Sequence, residues 1–206
     1  NVGGGWDYGT VIGQRSFAGY HTSIHPHSSG YAYAAGSVTE SPGDTRAAIY
    51  MTSNTGSSGN QVFIRTSASQ ALQFYNVVAD PKKTSSRVYA VGKTSSLSSA
   101  RNFAFSTDKG LTWSVAQGAR VRDGADTVLC LVIDSTGSHP NSQTMYVGLG
   151  DGLGVYKTVD SGATWSAGGL SGKTPRSFAL KQDSPRTLYA GCDEGLFRTD
   201  DGGTNW

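Results

Sequence analysis

The chain has 206 residues, of which 16% are charged, 36% hydrophobic and 10% aromatic. With 17 basic and 15 acidic residues its net charge is +2, too balanced for a nucleic-acid or membrane-surface partner to be the default. The longest apolar run, Val128–Ile133, is far short of the ~18–20 residues that cross a bilayer as a helix, so no membrane insertion is expected. The apolar content supports a core and excludes disorder, and 28 glycines favour short strands and tight turns over helices.

The chain opens on Asn1 rather than Met, as it would after removal of a leader or other preceding residues. Asn1-Val2-Gly3-Gly4-Gly5 reads as a strand, and the segment 6–19 adds Trp6, Asp7, Tyr8 and Arg15. A repeat then begins. Its first copy runs Ser23-Ile24-His25-Pro26, then Tyr33-Ala34-Ala35-Gly36, a loop at 37–48 holding Glu40 and Asp44, Ile49-Tyr50, and Thr52-Ser53-Asn54-Thr55-Gly56. The second runs Val77-Val78-Ala79-Asp80-Pro81, Tyr89-Ala90-Val91-Gly92, a loop at 93–103, Ala104-Phe105, and Ser106-Thr107-Asp108-Lys109-Gly110-Leu111-Thr112-Trp113. A long segment at 115–126 with Arg120, Arg122, Asp123 and Asp126 follows. The third copy has Leu131-Val132-Ile133-Asp134, Tyr146-Val147-Gly148, Val155-Tyr156, and Thr158-Val159-Asp160-Ser161-Gly162-Ala163-Thr164-Trp165. The fourth has Phe178-Ala179-Leu180, Tyr189-Ala190-Gly191, Leu196-Phe197, and Thr199-Asp200-Asp201-Gly202-Gly203-Thr204-Asn205-Trp206.

Each copy therefore reads as strand A, a polar turn, strand B, a variable loop, strand C, an Asp-Gly turn and strand D. Four antiparallel strands recurring at roughly 40–55 residues predict an all-β propeller of four-stranded blades. The blades fall at roughly 18–68, 73–118, 125–170 and 175–206 of a single domain, 1–206. In the Asp-Gly turn the Asp or Asn side chain folds back onto backbone N–H groups, and the Gly takes a positive φ. The Trp that follows packs between blades. Asn54, Asp108, Trp113, Asp160, Trp165, Asp201 and Trp206 are accordingly structural. Residues 1–5 continue the fourth copy in register and would supply its outer strand, covering an open edge. The rival arrangement is four blades of a larger ring, completed by further sequence or another chain.

The pattern Ser/Thr-X-Asp-X-Gly-X-Thr-Trp resembles the Asp-box, or BNR, repeat of β-propellers. Residues 106–113 and 158–165 match it fully. The copy at 199–206 shifts the Thr, and the copy at 52–56 has Asn54 for Asp and lacks the Trp. Such boxes occur in sialidases, sortilin-like receptors, photosystem assembly factors and xyloglucan-active glycoside hydrolases, so they imply fold rather than function. Asn1–Gly5, Asp44-Thr45-Arg46-Ala47-Ala48-Ile49-Tyr50 and Asp193-Glu194-Gly195-Leu196-Phe197-Arg198-Thr199 are similar to segments of the N-terminal propeller of the xyloglucan-active hydrolases. That resemblance implies Asp44 and Asp193 as catalytic carboxyls on β-glucan or xyloglucan. It departs where Thr, Arg and Ala replace glycines after Asp44, and where one short chain stands for two facing rings. No Arg-Ile-Pro-like signature of the sialidases appears.

Propeller connectivity puts the B–C and D–A loops on one face, where binding is placed on a rigid scaffold. That face would hold Trp6 and Tyr8 for stacking on a sugar ring, with Asp151, Glu194 and Arg120 as further ligand contacts. His21, His25 and His27 lack a carboxylate or Cys partner at ligand spacing, so no metal site is expected. The Gly-rich stretches open no helix, so no phosphate cradle and no cofactor is implied. Cys130 lies in an apolar strand as a buried thiol. Three functions stay open: a carbohydrate-active enzyme, a carbohydrate-binding module, and an extracellular scaffold for other chains. The partner is then a glycan or another protein chain, including a second copy completing the ring. The low charge and Gly/Ser/Thr-rich surface suit a secreted, extracellular or periplasmic protein.

Overall fold

The computed structural model describes residues 16–24, 30–41, 44–53, 59–62, 72–82, 85–94, 102–115, 121–122, 127–135, 143–181 and 187–206. Its strands are β1 (Ser16–Ile24), β2 (Ala32–Ser41), β3 (Asp44–Thr52), β4 (Gly59–Val62), β5 (Leu72–Ala79), β6 (Val88–Thr94), β7 (Phe103–Ser106), β8 (Ser114–Val115), β9 (Val128–Asp134), β10 (Thr144–Leu149), β11 (Gly154–Thr158), β12 (Ser166–Ala167), β13 (Pro175–Leu180), β14 (Leu188–Cys192) and β15 (Gly195–Thr199). They form four antiparallel sheets in chain order, β1–β4, β5–β8, β9–β12 and β13–β15. The closing strand expected from residues 1–5 lies outside the described residues.

The repeat in sequence is a repeat in register. Ile24, Ala79 and Leu180 end the first strands of their sheets, Ile133 stands one residue before the end of β9, and the four lie opposite Ala32, Val88, Leu188 and Met145 respectively. The residue after each of those partners is a tyrosine, Tyr33, Tyr89, Tyr146 or Tyr189, paired with Met51, Phe105, Lys157 or Arg198 on the third strand. Each first strand also carries a β-bulge at the same step. There Tyr20, Tyr75, Leu129 and Arg176 drop out of the ladder.

The sheets touch in chain order: β1 lies against β5, β5 against β9, and β9 against β13. Among the described elements, no contact of comparable extent joins the fourth sheet back to the first. The core fills the three interfaces so made. Tyr33, Ile49 and Met51 meet Phe74, Val77 and Val88 in the first. Tyr89 and Phe103 meet Leu131, Ile133, Met145 and Val147 in the second. Tyr146 and Val155 meet Leu188, with Phe178, Leu180 and Trp206, in the third. Each large apolar side chain buried there contributes about 1.5–3 kcal/mol. Glycine follows from the same crowding: a Cβ at Gly148 would stand 2.7 Å from the Cys130 sulfur and 2.8 Å from Pro175 of the next sheet. Cys130 and Cys192 are both free thiols, and burial pushes the Cys130 thiol up to about 12.

One expectation needs correction. The segment 37–48 is not an irregular loop. It is a hairpin in which β2 and β3 stay paired out to Ser41 opposite Asp44, because alternating small and β-branched residues prolong the ladder.

The Asp-Gly turns have a shared mechanism. The hydroxyls of Ser106, Thr158 and Thr199 accept the N–H of Gly110, Gly162 and Gly203 at 2.7, 3.0 and 3.0 Å. The same hydroxyls donate to Asp108, Asp160 and Asp201 at 2.7, 2.6 and 2.8 Å. Each carboxylate then accepts a backbone N–H from Thr112, Thr164 or Asn205 at 2.8–2.9 Å. The hydroxyl two residues before the Asp therefore carries as much of the turn as the Asp does. Two successive residues hold positive φ, 62° at Ser161 and 93° at Gly162 in the third sheet. The tryptophans that follow sit between sheets. Trp113 and Trp206 donate to the carbonyls of Gly110 and Gly168 at 3.0 and 2.8 Å, and Trp165 packs edge-on against Phe103 at 5.5 Å. Asn54 lies outside the described residues.

Replacing Gly162 by Ala places a Cβ 2.6 Å from the Phe103 ring at a φ of +93°. Urea unfolding should show a loss of roughly 2–4 kcal/mol, backbone strain plus overpacking. Gly172→Ala meets nothing within 4 Å at a φ of +83° and should lose only about 1 kcal/mol, the strain alone.

The turns also predict acid lability. The Asn205 backbone N–H, its side chain and the Thr199 hydroxyl hold the Asp201 carboxyl down to about 2. At Asp108 and Asp160 slight burial opposes ionisation, but the hydroxyl and backbone donors outweigh it and lower both carboxyls. A carboxyl depressed below its unfolded value, about 3.9, stabilises the fold above that pH and loses the contribution as pH falls through its folded value. Thermal melts against pH should therefore fall between about pH 4 and 2, and Asp201→Asn should flatten that decline.

Candidate functional site

Three connections meet at one end of the third and fourth sheets: the β10–β11 turn, the β12–β13 connection and the β14–β15 turn. Thr174 ties them together. Its hydroxyl accepts the Gly152 N–H at 3.1 Å, its carbonyl accepts the Asp193 N–H at 3.1 Å, and its own N–H donates to Glu194 Oε2 at 3.1 Å. Gly172 N–H donates to the Gly152 carbonyl at 2.8 Å, and Leu153 bridges Lys173. The sequence-predicted residues Asp151, Asp193 and Glu194 are thus brought onto one rim. Asp151 is exposed in the turn at a φ of 56°, a conformation aspartate tolerates through local hydrogen bonding.

Arg176, the bulge residue of β13, grips Asp193. Its Nε and Nη2 donate to the two carboxylate oxygens at 2.8 and 2.7 Å, with both side chains about half exposed. This is a two-pronged guanidinium–carboxylate pair, which fixes orientation more than it adds stability at a surface. Arg176 holds the Asp193 carboxyl below the ordinary carboxylate range. Asp193 is then an ionised acceptor near neutral pH, suited to taking hydrogen bonds from hydroxyls and unsuited to donating a proton. Lys173 lies 5.8 Å over the Phe197 ring on the same rim.

Two other bulge residues form an aromatic pair. Tyr20 of β1, 50% exposed, and Tyr75 of β5 meet edge to face at 5.3 Å. The Tyr75 hydroxyl donates to Gln73 Oε1 at 3.2 Å.

Asp44 opens β3, and its side chain lies outside the described residues, as do Trp6, Tyr8 and Arg120. Asp44 and Asp193 belong to the first and fourth sheets, and the extensive contacts link only successive sheets. Their separation is therefore not fixed by the described residues. Sequence reading missed Arg176, Thr174, Tyr20 and Tyr75. The shared signal of Arg176, Tyr20 and Tyr75, a bulge at one step of every first strand, is a property of register and leaves no residue-type mark.

No protein-family model and no curated protein sequence matches the chain. Solved structures do match. Over 90% of this chain and 29% of the other, the Niastella koreensis GH74 enzyme superposes with a TM-score of 0.63 at 20% identity. The fold is that of a β-propeller region. The Xanthomonas campestris GH74 xyloglucanase gives a TM-score of 0.55 at 14% identity, over 91% of this chain and 38% of that one. Sqt1 from Chaetomium thermophilum gives 0.59 at 16% identity, over 93% and 44%. This propeller-like chain thus spans less than half the length of each of these three, and identities this low carry the fold alone.

The Arg176 grip makes a direct prediction. In Arg176→Gln the Asp193 carboxyl should rise toward its ordinary value of about 3.9, read by carboxyl-carbon NMR titration, with little change in melting temperature because the pair is exposed.

Proposed function

We propose that this chain is an Asp-box β-propeller region that binds carbohydrate at the B–C/D–A loop end of its sheets, without cleaving it through Asp193. The observation that carries this reading is the set of bulges. They give the neighbouring first strands a tyrosine pair, Tyr20 exposed and Tyr75 half-buried, and give the fourth sheet the Arg176–Asp193 pair at the equivalent step. A sugar ring offers an apolar C–H face to aromatic rings and vicinal hydroxyls to a fixed carboxylate and guanidinium. Asp151 and Glu194 extend the polar rim. Asp44, Trp6, Tyr8 and Arg120 are assigned to the same ligand on sequence grounds.

Likeness to the xyloglucanase propeller makes β-glucan and xyloglucan oligosaccharides the first ligands to try, and an extracellular or periplasmic setting fits such a ligand. Cleavage needs two carboxyls facing the scissile bond, roughly 5–5.5 or 6.5–9.5 Å apart, one of them able to donate a proton. Asp193 is held ionised by Arg176, which is unsuited to the proton-donating role and argues for binding over turnover.

Calorimetric titration with xyloglucan and mixed-linkage glucan oligosaccharides should show binding, and a reducing-sugar assay should show no release. Asp193→Asn and Tyr75→Ala should each weaken affinity about 5–50-fold, the loss of one charged hydrogen bond or one stacking contact. Release by the wild type that disappears in Asp193→Asn would make the chain an enzyme. Absence of affinity for every glycan would leave the protein-scaffold reading in its place.

A further inference from the structure

Where β1 lies against β5, three side-chain contacts run in step along the two strands. The Tyr20 and Tyr75 rings meet at 5.3 Å, the His21 imidazole hydrogen-bonds to the Val77 backbone, and the Ser23 hydroxyl accepts the Ala79 N–H at 3.4 Å. His21 is thus the middle contact of this seam. It follows the bulge residue Tyr20 and stands opposite Ala35 of β2. Each other first strand has a counterpart just after its own bulge: Asn76, Cys130 and Ser177. Cys130 plays the same part between β9 and β13, where its thiol donates to the Pro175 carbonyl at 3.6 Å. Of the four side chains, only the imidazole is of a type that changes charge near neutral pH.

The seam suits one protonation state of His21. Its Nδ1 is buried with no hydrogen-bond partner, so the neutral ring keeps a lone pair there. A proton on Nδ1 adds a buried donor with no acceptor and a charge with no counter-charge. The strands packed on β1 are β2 and β5. Besides Glu40, whose side chain lies outside the described residues, the other titratable groups of these three strands are the phenols of Tyr20, Tyr33 and Tyr75. The strands bring no ammonium or guanidinium to the ring. Burial accordingly holds the His21 imidazole below its ordinary value, against the Val77 bond, which raises it.

We propose that His21 is a proton-operated catch on the β1–β5 seam: uptake of a proton at Nδ1 loosens the seam and with it the Tyr20–Tyr75 pair. Tyr20 leads directly into His21, and its ring meets Tyr75 across the same seam. The pair therefore loses its edge-to-face geometry when the strands part, and carbohydrate bound there is released in mildly acid solution. That release rests on the carbohydrate reading, whereas the catch itself does not.

The direction of the effect follows from linkage. The folded ring titrates below the value of about 6.5 usual for histidine. Between the two values the unfolded chain holds a proton that the folded seam resists. Stability therefore falls as pH drops below about 6.5, and the loss is complete once the folded ring is charged. The Asp turns act in a separate window, between about pH 4 and 2.

Proton NMR of the imidazole signals of the full chain, with the His21 signal identified by its absence from His21→Gln, should give a midpoint below about 6.5. Hydrogen exchange, corrected for its intrinsic pH dependence, should show β1 and β5 amides losing protection between about pH 7 and pH 5 while those of β10 and β14 keep it. In His21→Gln, whose amide can still donate to Val77, that loss should disappear. Xyloglucan-oligosaccharide affinity should drop several-fold over the same interval in the wild type and hold steady in the variant. If His21→Gln does not fold, His21→Asn carries the same comparison. A midpoint at or above about 6.5 overturns the proposal, as does equal acid loosening in the variant. A seam that loosens with acid in a chain that binds no glycan supports the catch and removes the carbohydrate reading. Glycan affinity that stays constant while the seam loosens overturns the link to the tyrosine pair.

Discussion

Apolar side chains on both faces of every sheet are the constraint from which the rest follows. Alternation along a strand sends successive residues to opposite faces, and in this chain both sets are apolar over the middle strands. No sheet can satisfy that alone, and among the described residues the second and third sheets are covered on two sides. Stacking in chain order is the arrangement that does so with short connections. The tyrosine on each second strand makes the stacking specific as well as favourable. Its ring adds area, and in the first and third sheets its hydroxyl meets a carbonyl in the Asp turn of the next sheet. The turn therefore serves two ends at once. Its hydroxyl and carboxylate satisfy its own N–H groups, and its Gly, lacking a Cβ, lets the neighbouring aromatic come close.

The same architecture separates the structural chemistry from the site. The Asp turns join the third strand to the outer strand, and their acids are spent on backbone donors. Asp151, Asp193 and Glu194 belong to the connections at the other end of the strands. There the bulge has a consequence beyond geometry. By dropping one residue from the ladder it releases that side chain from strict alternation, and in β13 the released residue is Arg176, which meets Asp193. The electrostatic character of the rim follows from that meeting. Asp193 there is a carboxylate fixed in orientation by the guanidinium.

Most of the fold was legible in the sequence because the repeat is carried by residue types with local physical causes. Tyr-X-X-Gly and Tyr-X-Gly strands, apolar runs ending in polar turns, and Ser/Thr-X-Asp-X-Gly turns each encode a local conformation, and their recurrence encodes four similar sheets. The position of the tryptophans between sheets was legible for the same reason. The segment 37–48 was not, since its Gly, Ser and Pro content resembles a loop while its pairing partners lie directly opposite in the hairpin.

The sequence by itself determined the strands, their order, the turn chemistry and the grouping of Asp151, Asp193 and Glu194 on one end, because all of these depend on residues near one another in the chain. Tertiary structure alone decided three things. It set the register step that frees Tyr20, Tyr75, Leu129 and Arg176. It paired Arg176 with Asp193. It also left Leu196 and Ile24 exposed among the described residues, while Phe103, Val155, Ala79 and Ile133 at the same repeat positions are buried. These depend on which strand lies beside which. Residues of the same type at the same repeat position look alike in sequence, and only the presence or absence of a neighbouring sheet among the described residues separates a buried one from an exposed one.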